Sequence, residues 1–232
     1  MTASTGRRLH PVIAIDGPAG AGKSSLAAYL ARRFGYLNLE TGAMYRALAL
    51  KALETSTSLG DEAALMQLTA STQIVLESRP NENNRVLLDG NDVTARVRDK
   101  DVSEAASQVS VHPRVRAWMV EHQRALGAQG GIVMEGRDIG TKVFPDAELK
   151  IFLDAHDEVR GQRRYLQNAG SKDAPTQETV LAAVRDRDTR DRTRASSPLE
   201  PAADAIHLDT TRLTLEQVCA VAEGLAKARI PS

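Results

Sequence analysis

The sequence predicts an α/β chain: a doubly wound, five-stranded parallel sheet with a phosphate-binding loop, plus a small inserted antiparallel β/helical piece and a short lid. Three observations carry that prediction. Residues 12–16 are apolar and β-branched, residues 25–31 are small and apolar at helical spacing, and a glycine-rich loop joins them. Four further strand candidates, at 36–39, 131–135, 149–154 and 205–209, alternate with helical stretches. Between residues 73 and 94 the alternation breaks. There 73–77 and 85–89 are strand-like, separated by the turn-rich stretch 79–84.

The loop after the first strand is Gly17, Pro18, Ala19, Gly20, Ala21, Gly22, Lys23 and Ser24, the pattern G-x-x-x-x-G-K-S, followed by Ser25. Glycines let the backbone curl so that successive N–H groups point at phosphate oxygens. The helix beginning near Lys23 adds its positive end at the same place. The Lys23 ammonium reaches terminal phosphates and the Ser24 hydroxyl can ligate Mg²⁺. The chain is therefore expected to bind a nucleoside triphosphate.

Composition narrows the rest. The 232 residues suffice for one α/β domain with an insertion, and 42% hydrophobic with 26% charged residues is ordinary for a globular chain. Thirty basic and thirty acidic residues cancel, so no global field recruits nucleic acid or membrane. Aromatics at 3% leave little for a base-stacking RNA surface. Cys219 is the single cysteine, so an intramolecular disulfide is excluded, and its apolar helical setting predicts burial. The histidines show no metal-ligand spacing. With no run of transmembrane length and no apolar signal core, a cytoplasmic chain is expected. Nothing suggests an interface, so a monomer is the expectation.

The elements follow in order. Residues 1–10 are polar and patternless, an N-terminal arm. After the strand at 36–39, Thr41 is expected to N-cap a helix running to residue 53, with Tyr45 and Arg46 one turn inside. A hydroxyl, a helix start and an arginine make an anion site. Residues 55–72 read as a loop and one amphipathic helix, and 90–92 as a turn leading to a strand at 93–94. Helices follow from about 99 to 127, so 67–112 is read as an inserted subdomain. The strand at 131–135 runs into Gly136, Arg137, Asp138, Ile139 and Gly140, placing a charged pair where open α/β sheets hold their functional groups. After the fourth strand, Arg160, Arg163 and Arg164 share a helix, 168–175 is a flexible stretch, and a second arginine-rich helix spans 185–194. Arg187, Arg190, Asp191 and Arg194 stand at i, i+3, i+4 and i+7, which predicts one face. A plain surface helix would instead pair Asp186 with Arg190. A hairpin with arginines on both arms suits a lid over phosphates, here 158–194. The last strand and a helix from Leu215 to about 228 close the core.

Many arginines and no base with a histidine favour an acceptor that is itself a phosphate, already ionised at neutral pH. That points to a nucleoside monophosphate kinase. The D-x-x-G and N-K-x-D motifs of GTPases do not occur. A kinase of a small alcohol and a non-catalytic nucleotide or RNA-binding module are the competing readings.

Several stretches carry a resemblance to the bacterial cytidylate kinases: IDGPAGAGKSS, TGAMYRALAL, AASQV with HPRVR, GRDIGTKVFPDAELKIFLDA, and RDRDTRDRTRASSPL with PAADAIHLDT. The resemblance covers about residues 11–228. It implies transfer of a phosphate from ATP, with Mg²⁺, to CMP or dCMP. By resemblance, Thr41, Arg46, Arg137 and Arg194 meet the acceptor phosphate, and Ser107, Arg116 and Asp138 read the cytosine edge. Arg187 and Asp191 contact the ribose, while Arg160, Arg164 and Arg190 belong to lid closure. Thr41 stands where the family often has serine, and Glu135 where aspartate also occurs. Glu135 is expected either to order Mg²⁺ through water or to support the loop.

Overall fold

The fold is seen in a computed structural model that describes residues 8–78, 84–168 and 175–230. In chain order, β1 (Val12–Asp16), α1 (Lys23–Phe34), β2 (Leu37–Glu40) and α2 (Thr41–Glu54) open the α/β pattern. Next come α3 (Glu62–Thr69), β3 (Ile74–Glu77), β4 (Arg85–Leu88), β5 (Asn91–Asp92), α4 (Lys100–Val109) and α5 (Pro113–Leu126). The pattern resumes with β6 (Ile132–Gly136), β7 (Leu149–Asp154), α6 (Asp157–Asn168), α7 (Gln177–Thr193), β8 (Ile206–Asp209) and α8 (Leu215–Arg229).

The main sheet is parallel, in the order β2-β6-β1-β7-β8. β1 lies at its centre with every residue buried, which is why it reads as an unbroken apolar run rather than an alternating one. The register puts Asp16 beside Gly136 and Phe152, Glu40 beside Glu135, and Asp154 beside Asp209. The carboxyl edge of the sheet is thus an acidic rim on which the loops are mounted.

The second sheet is antiparallel, β3-β4-β5. Its last strand is Asn91–Asp92, not 93–94 as the sequence suggested. Asp89 (φ 51°) and Gly90 (φ 84°) both take left-handed backbone, and Leu88 pairs directly with Asn91. Asp-Gly closes a two-residue hairpin, so the strand resumes at once. The insertion docks on the open edge of β2. The Asn84 amide donates to Asn38 O at 2.7 Å and accepts from Glu40 N–H at 2.9 Å, satisfying edge groups that would otherwise lack partners. One apolar cluster runs from Met44 and Leu48 of α2 through Val102 and Val109 of α4 to Ile132 and Met134 of β6. A second cluster under α1 and α8 includes Leu26, Leu30, Ile151 and the buried Cys219.

Thr41 is the first helical residue of α2, not its cap. Glu40 holds the cap position, and the Thr41 hydroxyl donates across to Glu135 O at 2.7 Å. α6 and α7 pack side by side. Residues 79–83 of the expected turn, 169–174 of the expected flexible stretch and 1–7 of the expected arm lie outside the described residues.

Candidate active site

The phosphate loop owes its shape to backbone that only glycine adopts freely. Gly17 has φ +146°, and a Cβ there would lie 2.0 Å from the Leu153 carbonyl oxygen. Gly22, at φ 98°, precedes α1, whose first turn carries no acidic residue. The helix therefore presents free N–H groups and the positive end of its dipole to the loop. Lys23 is buried, and its ammonium donates to Pro18 O at 2.7 Å. Burial, with help from Arg137, pushes its pKa down to about 7. Ser24 and Ser25 are exposed at the helix start. Gly20 to Ser25 line an open cleft. Arg163, Arg164, Gln167, Thr210 and Leu213 also line it, so cations and hydroxyls face the phosphate loop.

A second cleft brings together most of the acceptor residues expected from the sequence. Thr41, Tyr45 and Arg46 come from α2, Arg116 from α5, Arg137 and Asp138 from the end of β6, and Arg187, Asp191 and Arg194 from the end of α7. Asp191 is the hub. Its carboxylate accepts from Arg137 at 2.8 Å and Arg194 at 3.4 Å, with Arg187 at 3.9 Å. Burial works against its charge, but these arginines hold its pKa below the usual carboxylate range. Arg187 is pushed down to about 9 by burial and by Arg137. Such crowding of cations asks for an anion.

Deeper in the cleft, Arg116 (2% exposed) donates to Asp138 Oδ2 at 2.6 Å and stands 5.5 Å from the Tyr45 ring centroid. Arg116 Nε, Tyr45 OH, Arg46 Nε, Arg187 Nε and one terminal nitrogen of Arg194 are buried without partners. Orphaned donors around one hollow are the mark of a polar ligand.

Three of the expected residues line neither cleft. Arg160 does not face the triphosphate cleft. It is buried, with Nε on Ala155 O at 2.7 Å, one nitrogen on Ala19 O at 3.2 Å, and an ion pair to Asp188. It fastens α6 and α7 to the back of the phosphate loop. Arg190 is exposed and lines neither cleft, nor does it pair with Asp186 among the described contacts. Consecutive helical residues differ by about 100°, so with Asp191 facing the cleft Arg190 turns to solvent. Ser107 is buried with its hydroxyl unpartnered, while Ser103 and Ala106 of α4 and Ser110 just after it line the cleft.

Sequence reasoning missed Glu40, Asp188 and Asp16. Glu40 ion-pairs Arg46 and reaches Arg98 at 3.5 Å. The signal for Glu40 and Asp16 was their place at strand ends; Asp188 gave none beyond the charge pattern.

The residues at the loop also fit a divalent cation. Glu135 is buried near the end of β6, where Glu40, Lys23 and the Ser24 hydroxyl all act on its carboxyl. Burial, then Glu40, pushes its carboxyl above the usual range, an excess of negative charge that a cation would relieve. Among the described residues no group of three or more His, Cys, Asp or Glu could hold a metal unaided. An ion here would take its ligands largely from phosphate and water, as Mg²⁺ does.

A family model described as cytidylate kinase matches residues 13–227. A cytidylate kinase of Citrifermentans bemidjiense is 45% identical over 94% of this chain and 94% of its own. One of Pelotomaculum thermopropionicum is 49% identical over 90% of this chain and 92% of its own. One of Salmonella paratyphi B is 45% identical over 96% and 97%. No described helix is long and apolar enough to cross a membrane.

Proposed function

The chain belongs to the cytidylate kinase family, and from that premise we propose how its residues divide the work. It transfers the γ-phosphate of ATP to CMP or dCMP, giving ADP and CDP or dCDP. One observation carries the division: arginines with orphaned donors converge on a cleft within electrostatic reach of Lys23.

In our reading the loop 17–25 cradles the triphosphate, and Lys23 stabilises charge on the transferred group. Mg²⁺ would be held by Ser24 and, through water, by Glu135, where it neutralises donor phosphate charge. Arg46, Arg137 and Arg194 take the acceptor phosphate beside Thr41. That phosphate is ionised at neutral pH, so transfer needs no general base and proceeds in line. Arg116 holds Asp138 by one oxygen, leaving the other to accept from the cytosine amine, and the Tyr45 ring walls the base. Uracil would turn an oxygen toward Asp138, and such mispairing is rejected strongly. Arg187 and Asp191 meet the ribose. Arg164 is the lid cation that lines the donor cleft, whereas Arg160 and Asp188 anchor the lid.

The proposal further takes 67–112 as the acceptor-binding insertion, 158–194 as the lid, and the chain as a cytoplasmic monomer acting on free nucleotides rather than nucleic acid. A coupled ADP-release assay with ATP and CMP, dCMP, UMP, AMP, GMP and shikimate tests it. Turnover confined to CMP and dCMP is expected. Equal turnover of AMP or GMP would overturn the base-reading roles.

A further inference from the structure

We propose that Asp16 is a positioning residue that sets the acceptor turn from the donor side, fixing where Arg137 and Asp138 stand. The proposal rests on the reading that those two residues contact CMP. Asp16 is the last residue of β1 and directly precedes Gly17, so by sequence it belongs to the phosphate loop. Its side chain points elsewhere. Oδ1 accepts from Ile139 N–H at 2.8 Å and Oδ2 from Gly140 N–H at 2.7 Å, both buried.

The turn needs this outside partner. Residues 139–143 curl in a wide helical turn whose bonds run from Lys142 and Val143 N–H to Asp138 O (2.8 and 3.2 Å) and from Phe144 N–H to Ile139 O (2.7 Å). The amides of Ile139 and Gly140, at the start of that turn, have no acceptor within it. Asp16 supplies both, capping from another strand a turn that cannot cap itself.

The opposite side is equally constrained. A Cβ on Gly140 would stand 3.3 Å from Asp16 Oδ2 and 3.1 Å from Lys150 Cδ. Lys150, from β7, is held by Asp204 at 2.8 and 2.9 Å and by Pro145 O. The turn is thus gripped between Asp16 and the Lys150 stem.

Simple stability does not explain a carboxylate here. No ion pair reaches Asp16 among the described residues, and Lys23, which acts on its charge, donates to Pro18 O. Burial opposes its charge, only partly relieved by the two amides. Its bonds end one and two residues beyond Asp138.

The test is Asp16→Asn, which keeps the shape and one acceptor but turns an N–H toward the other amide. The readouts are KM for CMP, kcat, affinity for a fluorescent ATP analogue, and thermal unfolding. KM for CMP should rise at least 10-fold, with ATP-analogue affinity changed less than 2-fold and cooperative unfolding kept. Gly140→Ala presses on the same turn without touching the phosphate loop and should give the same signature; it decides the matter if Asp16→Asn does not fold. Asp138→Asn is measured alongside. If Asp138→Asn raises KM for CMP while the other two variants leave it within 2-fold, the positioning role is wrong and the site reading stands. Equal losses for ATP and CMP in Asp16→Asn would assign Asp16 to the phosphate loop and overturn the proposal. No effect of Asp138→Asn on CMP would remove the site reading, and the proposal with it.

Discussion

Replacing Asp138 with alanine should damage stability and CMP recognition together, while leaving ATP alone. Asp138 is 4% exposed and Arg116 is 2% exposed, and they meet at 2.6 Å. Without the carboxylate, Arg116 keeps a single bond, to Ser110 O at 3.2 Å, and a buried charge with no counterion. Breaking a buried pair from one side costs about 3–5 kcal/mol. For a chain of this length that corresponds to roughly 6–20 °C in melting temperature, read by calorimetry without ligand. Removing both partners, as Arg116→Met with Asp138→Leu, should recover much of the loss, because no charge is then stranded. The cycle should give a coupling energy above about 2 kcal/mol, within the range seen for contacting residues. In turnover, losing a hydrogen bond to a charged group costs about 1.5–3 kcal/mol, roughly 10- to 150-fold in kcat/KM for CMP. ATP-analogue affinity should stay within about 2-fold, since the donor loop is built on other residues. A melting point lowered by less than about 2 °C, or equal losses for ATP and CMP, would refute the reasoning.

Lys23→Ala should lower kcat at least about 100-fold, in line with losing one preorganised charge, while the melting point stays within about 2 °C. Its ammonium holds only Pro18 O and is already disfavoured by burial, so an active variant would sink the assignment. Arg160→Ala strands Asp188 and frees Ala19 O and Ala155 O, so it should cost about 3–5 kcal/mol, with hydrogen exchange faster in α6 and α7. Protection unchanged in those helices would contradict the anchoring role. Asp16 titrates near 6 when folded and 3.8 when unfolded, so the folded state binds the proton more tightly between those values. Its share of stability is present at pH 4 and lost by pH 7. Over about two units this is roughly 3 kcal/mol, read as the pH-dependent difference between the wild type and Asp16→Asn in denaturant melts. A difference independent of pH would show that Asp16 is not buried as a charge.

Sequence alone fixes much of this molecule because its signals are local. The G-x-x-x-x-G-K-S loop, an all-apolar β1 and the alternation of strands with helices each follow from periodicity and backbone freedom within a few residues. The hairpin insertion could be read for the same reason, although its second turn was placed at 90–92 rather than at Asp89-Gly90 and the strand after it two residues late. The arginines, too, could be named, since few folds gather so many beside a phosphate loop. What each one touches was another matter. Arg160 and Arg164 lie one helical turn apart, yet Arg160 is locked beneath the loop while Arg164 lines the donor cleft. Arg190 and Asp191 are neighbours in sequence and face different surroundings. Asp16, beside the phosphate loop, instead caps a turn from another strand, 123 residues on. These outcomes depend on which elements the sheet order places side by side. A side chain's partner across the sheet is set by long-range packing, and no local pattern encodes it.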